Sequence, residues 1–412
     1  MKNDFYFENE NAENTPPDLF ENETENKDVE INFSEENNEV VENQTDQVNN
    51  FNNVINSRKT TYIAENRQNP PSFQPNYYGY QHSYQQYYGN INQNSEALQL
   101  YYEKMAVKRT ANHIGVGLIL FYLFQIVFYY FLSFFMTSQK SIDFINNPAI
   151  NLELNIFYSF LGFGLTVLFI IKTEGRKASQ LISYGLPKKG SLLPAIMVGL
   201  GFCYAANVVV TMLQTKLQSI LPFAQPEFEL PDGILGFILS VLSIAVAPAL
   251  IEEFLFRGVI MGSLLKFGKA FAIFTSAFLF GLVHGNLVQI PFAFMVGLVI
   301  GAMVVETNSF WTGVIIHFLN NFISVCMDYL LRVSDENILN VAYLFLLASL
   351  IIIGFFGFYI LSNKNKDLFA FKKTAHISST LGRFGWFSAV ISIIIYFVII
   401  FIEIFLMQIS GV

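Results

Sequence analysis

Two cysteines, Cys203 and Cys326, stand in a chain of 412 residues. Both lie inside apolar runs, where a thiol acts as a small hydrophobe, and two such residues exclude a disulfide framework or a zinc ribbon. The C-terminal Ile409-Ser410-Gly411-Val412 offers no cysteine for prenylation. The first residues contain no basic stretch leading into an apolar one, so no cleavable signal peptide is expected. Charge is scarce too, at 14% of residues. What there is divides unevenly: residues 1–100 hold 17 acidic and 5 basic side chains, whereas the remaining residues hold 15 acidic and 19 basic. The net charge of −8 therefore describes a tail rather than the body. It gives no reason to expect a nucleic-acid partner.

Hydrophobic residues are abundant instead. They make up 53% of the chain, with 16% aromatic, and the mean hydropathy is +0.41. A soluble core could not hide that much apolar surface, and the residues arrive in long uninterrupted runs. Nine apolar segments fall at about 113–136, 153–172, 192–213, 234–265, 269–285, 289–306, 311–331, 338–361 and 386–407. Most reach the roughly 17–25 residues that cross hydrocarbon. The sixth is marginal, and the fourth exceeds a perpendicular span, with a kink expected at Pro248. Ahead of them, an acidic, Asn-rich stretch and then a Tyr-, Gln- and Pro-rich tract (residues 68–91) lack the apolar surface that offsets chain entropy. The fold class is all-α: a polytopic transmembrane helical bundle of about 8–9 spans behind a long disordered N-terminal tail. The expected divisions are a cytoplasmic tail over 1–100, N-terminal spans over 111–231, a core over 234–331 and C-terminal spans over 338–407. The partner of the tail is not readable.

Lysine and arginine mark alternate loops. Lys104, Lys108 and Arg109 precede the first span, Lys172, Arg176, Lys177, Lys188 and Lys189 follow the second, and Lys266 and Lys269 flank the fourth-to-fifth turn. After the eighth come Lys364, Lys366, Lys372, Lys373 and Arg383, while the intervening loops 137–152, 214–233 and 332–337 hold one basic residue each, Lys140, Lys216 and Arg332. This is the pattern of a multi-pass cell-membrane protein with a cytoplasmic N-terminus.

Charge inside a spanning helix costs roughly 2.5–3.5 kcal/mol per residue, so each instance needs a reason. The densest cluster is Ile251-Glu252-Glu253-Phe254-Leu255-Phe256-Arg257. Glu253 and Arg257 are four apart on one helical face, in the favourable order, and can neutralise each other as structural support. Glu252, rotated about 100° away, has no helical charge partner and suits a general base. Phe280-Gly281-Leu282-Val283-His284 places an imidazole one turn after an aromatic ring, and His317 shares a face of the seventh span with Asn321. At about 1.5 Å per residue, Glu252, His284 and Asn321 lie some 15–22 Å from the cytoplasmic ends of their helices, with His317 about one turn shallower, so the four reach neighbouring layers. Asp328 and Glu403, near membrane exits, are expected at the interface.

Glu-Glu-x-x-x-Arg at 252–257, Phe-x-x-x-His at 280–284 and His-x-x-x-Asn at 317–321 resemble the ordered motifs of the CAAX prenyl protease and bacteriocin-processing (CPBP, abortive-infection) family. The resemblance covers about residues 234–331. It implies an intramembrane endopeptidase acting on a membrane-associated peptide or protein near the cytoplasmic side. Glu252 and His284 would activate water, and His317 and Asn321 would stabilise the oxyanion. No cofactor enters that mechanism. A zinc-dependent version would use Glu252, His284 and His317 as ligands, without the His-Glu-x-x-His pair of many zinc peptidases. A non-catalytic membrane scaffold or immunity protein is the alternative, and a proton-coupled transporter a further one; the latter would want paired internal repeats, which the sequence lacks.

Overall fold

The computed structural model describes residues 96–220, 230–333, 336–365 and 377–410; the expected tail lies outside them up to residue 95, and its last five residues open the first helix. Within those residues the chain is helical throughout. In order come α1 (Glu96–Phe135), the short α2 (Gln139–Ile145), α3 (Pro148–Glu174), α4 (Leu192–Ile220), the long α5 (Gly233–Phe267), α6 (Lys269–Leu282), α7 (Gln289–Thr307), α8 (Phe310–Val333), α9 (Glu336–Lys364), α10 (Thr380–Ser388) and α11 (Ile391–Ser410).

Seven of these are long and apolar enough to cross a membrane, and α10 with α11 makes an eighth if that pair, bent by 76°, is one span. The count is lower than the nine apolar segments because hydropathy does not measure helix length. The fifth segment forms only a 14-residue helix, α6, closed by Val283 and the turn around Gly285. It packs along α7 as a hairpin.

Burial explains the arrangement. Along α1 the fully enclosed residues are Val107, Ala111, Ile114, Leu118 and Phe121, a stripe with alternating four- and three-residue steps. Such a stripe lets one helix face seat on its neighbours α3 and α11. The other face carries Tyr129, Tyr130 and Phe134, which are 69%, 68% and 76% exposed. In water that face would be a liability; in lipid it is the outside of the protein. By contrast, α5 is enclosed on all sides from Leu255 to Leu265. It is the axle of the bundle, touched by α3, α6 and α8.

Lipid supplies no hydrophobic drive for one helix to leave it for another, so close backbone approach must hold the helices together. The packing of α4 on α9 is built that way: Gly201 and Gly354 meet backbone to backbone, and a Cβ on Gly201 would collide with the Gly354 Cα.

Candidate active site

The site grows out of irregularity in α5. Two stretches of this helix, Val241–Val246 and Phe254–Ile260, are wound as wider π-helix, with the regular turns Ala247–Glu253 between them. Pro248 lies just past the first. In a regular helix the N–H of residue 248 would bond to the Ile244 carbonyl, and proline has none. α5 runs on past Pro248 as one helix, with the wide turn just before it. The Ile244 carbonyl accepts instead from Asn321 Nδ2 on α8, at 2.9 Å. In the second wide turn the Phe256 carbonyl accepts from Ser276 Oγ on α6, at 2.8 Å. Backbone groups that water cannot reach are thus satisfied by side chains of neighbouring helices.

Glu252 and Glu253 occupy the end of the regular segment between the two wide turns. Glu253 is fully enclosed, and its Oε1 accepts from Arg257 Nη1 at 2.7 Å, the pair expected from the spacing. The same oxygen has a second partner that spacing could not reveal: His317 Nδ1 on α8, at 2.9 Å. Glu253 Oε2 lies over Gly313 and has no hydrogen-bond partner. The Arg257 guanidinium sits 4.2 Å above the centre of the Phe280 ring, a cation–π contact in an enclosed setting. Both imidazoles stand edge-on to the same ring, His284 at 5.1 Å and His317 at 5.8 Å between centroids. Phe280 is therefore the hub joining α5, α6 and α8.

His284 has its tautomer fixed by its neighbour. Nδ1 lies 2.8 Å from the Phe280 carbonyl, which can only accept, so Nδ1 carries a proton and, in the neutral tautomer, Nε2 holds the lone pair. Asn286 Nδ2 donates to the His284 carbonyl at 3.1 Å and to Gln289 Oε1 at 3.0 Å, while its Oδ1 accepts from the Gln289 N–H at 2.8 Å. On α8, Asn321 Oδ1 accepts from Asn320 at 3.1 Å, so the Ile244 bond leaves one of its amide protons uncommitted.

Glu252 is half-buried, and among the described residues no hydrogen bond or ion pair engages it. Its electrostatic neighbours are Arg257 and, across α3, Tyr158. The structure thus brings His317, Glu253, Arg257, Phe280 and His284 together, with Asn321 anchored one turn along α8. It does not join Glu252 to either histidine by a direct contact.

The zinc alternative requires Glu252, His284 and His317 to converge. Among the described residues no three His, Cys, Asp or Glu side chains gather closely enough to hold a metal. That ligand set does not fit as arranged.

Glu403 faces neighbouring helices: its Oε2 is shielded from solvent and unpartnered. It follows the enclosed Tyr396 by seven residues on the same face of α11, and that register turns it toward the helices packed there.

Residues 234–323 match the family model of the Rce1-like type II CAAX prenyl endopeptidases. The match spans α5 through the first half of α8 and contains Glu252, Glu253, Arg257, His284, His317 and Asn321. The matched segment fills less than a quarter of the chain and is similar to that family, and α1, α3, α4, α9 and α10 pack on it from outside the match. No curated protein and no solved structure matches the chain.

Proposed function

We propose that the protein is an intramembrane endopeptidase, dependent on glutamate, that hydrolyses a peptide bond of a membrane-associated peptide or protein near the cytoplasmic side of the cell membrane. The observation that carries this reading is the division of labour between adjacent carboxylates. Glu253 is engaged by Arg257 and His317, whereas among the described residues Glu252 is held by nothing. A carboxylate committed to two donors is a poor acceptor for a proton from water; an uncommitted one is a good acceptor.

In this mechanism Glu252 removes a proton from the attacking water. The neutral Nε2 of His284 helps to orient that water. Oxygen adds to the scissile carbonyl carbon, and the developing oxyanion meets two donors. One is the uncommitted Asn321 amide proton. The other is His317 Nε2, which donates when both ring nitrogens carry protons, with Nδ1 donating to Glu253. Collapse of the adduct breaks the C–N bond, and the proton held by Glu252 passes to the leaving amine. Glu253 and Arg257 fix His317 and the wide turn of α5.

The match to prenyl endopeptidases makes C-terminal prenylated peptides the first substrates to try. A substrate-blind test compares membrane peptides from cells carrying the wild-type chain or Glu252→Gln. Uncleaved membrane-associated peptides should accumulate in the variant. Identical peptide populations, with the variant present at wild-type level, would refute the proposal.

A further inference from the structure

The turn that carries His284 is gripped from outside the matched segment. On α1, the Tyr122 hydroxyl lies 3.5 Å from the Val283 carbonyl, one residue before the imidazole. On α11, the Glu403 carboxylate lies against Gly285, one residue after it: a methyl group added there would sit 2.7 Å from Oε1 and 2.8 Å from Oε2. Gly285 has φ of +65°, so glycine serves both the left-handed backbone and this close approach. Tyr122 is also an electrostatic neighbour of the Glu403 carboxylate, and its ring is 5.9 Å from that of Tyr396. From α4, Gln214 Nε2 donates to the Val288 carbonyl at the far end of the same connection.

Register accounts for how Glu403 arrives there. The enclosed residues of α11 include Ile393, Tyr396 and Ile400, and Glu403 is the next position of that stripe. The stripe packs on α1, whose own buried face ends at Phe121 and Tyr122. A carboxylate at the end of a stripe facing other helices is costly, and among the described residues no cation is paired with it. Helix packing alone would favour an apolar residue at that position.

We propose that Glu403, through its contact with Gly285, is a positioning residue for His284: with Tyr122 on the other side it fixes the Val283–Gly285 turn so that the imidazole keeps its Nδ1 bond to the Phe280 carbonyl and presents Nε2 to the site. The first and last spans of the described chain thereby complete an active site whose chemistry lies on α5, α6 and α8. This rests on reading His284 as part of the proposed site, but the grip itself can be tested without turnover.

The experiment follows modification of each histidine by diethyl pyrocarbonate in the full-length protein in detergent, by mass spectrometry, for the wild type, Glu403→Ala and Glu403→Gln. Because the role is contact with the Gly285 turn, the isosteric glutamine variant keeps it. Glu403→Ala raises the rate at His284 about fivefold and leaves His113, nine residues before Tyr122 on α1, unchanged. Glu403→Gln stays within twofold of wild type at both. Turnover of an internally quenched farnesylated peptide by Glu403→Ala falls about tenfold in kcat with KM unchanged. The proposal is overturned if Glu403→Ala leaves His284 within twofold of wild type, or if His113 accelerates equally, which would report general loosening. Should Glu252→Gln retain full turnover, the peptidase reading fails while the His284 modification rates still decide the positioning role.

Discussion

The axle of the bundle and its outer spans are built from the same apolar alphabet, yet they obey opposite rules. From Leu255 to Leu265, α5 is enclosed on every side, and beside or within this stretch lie Glu253 and Arg257, two π-wound turns and a proline. On the outer spans, Tyr129 and Phe134 of α1 and Ile352 and Phe355 of α9 are 65% to 76% exposed. The difference teaches where a membrane protein keeps its specificity. Lipid accepts nearly any large apolar side chain, so the outer spans are tolerant. The interior must satisfy each charge and each freed carbonyl, so a polar side chain there is matched to a particular partner.

That contrast can be broken or sharpened by substitution. The largest effect belongs to Glu252→Gln, which removes the base and should lower turnover about 10³-fold, some 4 kcal/mol in barrier, while the protein remains folded; steady-state kinetics on reconstituted protein measures it. Next is Arg257→Met, which strands the enclosed Glu253 carboxylate. Losing one partner of a buried pair costs about 3–5 kcal/mol, read as a loss of folded protein in detergent. Asn321→Leu removes an oxyanion donor and the partner of the Ile244 carbonyl, with an expected loss of about 10²-fold in kcat. Phe355→Leu, on the lipid face, should change stability by no more than about 0.5 kcal/mol in the same unfolding assay. The smallest effect is that of a chelator: turnover stays within twofold, and a loss restored by zinc would replace the glutamate mechanism with a metal one.

Much of this was legible without coordinates, for a physical reason. Helical periodicity reports neighbours on one helix, so Glu253–Arg257 followed from a spacing of four, and the motif order put six site residues into the segment that the CAAX-protease family model covers. Contacts between helices leave no trace in spacing. The hydrogen bond from His317 to Glu253, the Phe280 ring against His317 and the Asn321 cap on Ile244 join residues 64, 37 and 77 positions apart. One of these had a signal: proline at 248 leaves the carbonyl four residues earlier without its donor, and a polar side chain at matching depth is the natural substitute. Glu403 had another, lying one step beyond an apolar stripe that faces the bundle. Hydropathy also overstated the fifth segment, because an apolar turn reads like more helix.

The central claim is that two adjacent glutamates have different roles, Glu253 holding the structure and Glu252 free for chemistry. Thermal unfolding of Glu252→Gln and Glu253→Gln in one detergent tests it most directly. Glu252→Gln should melt with the wild type, and Glu253→Gln should melt at least about 5 °C lower, as expected for the loss of a few kcal/mol. Equal melting temperatures for the two variants, or the reverse order, would contradict the account.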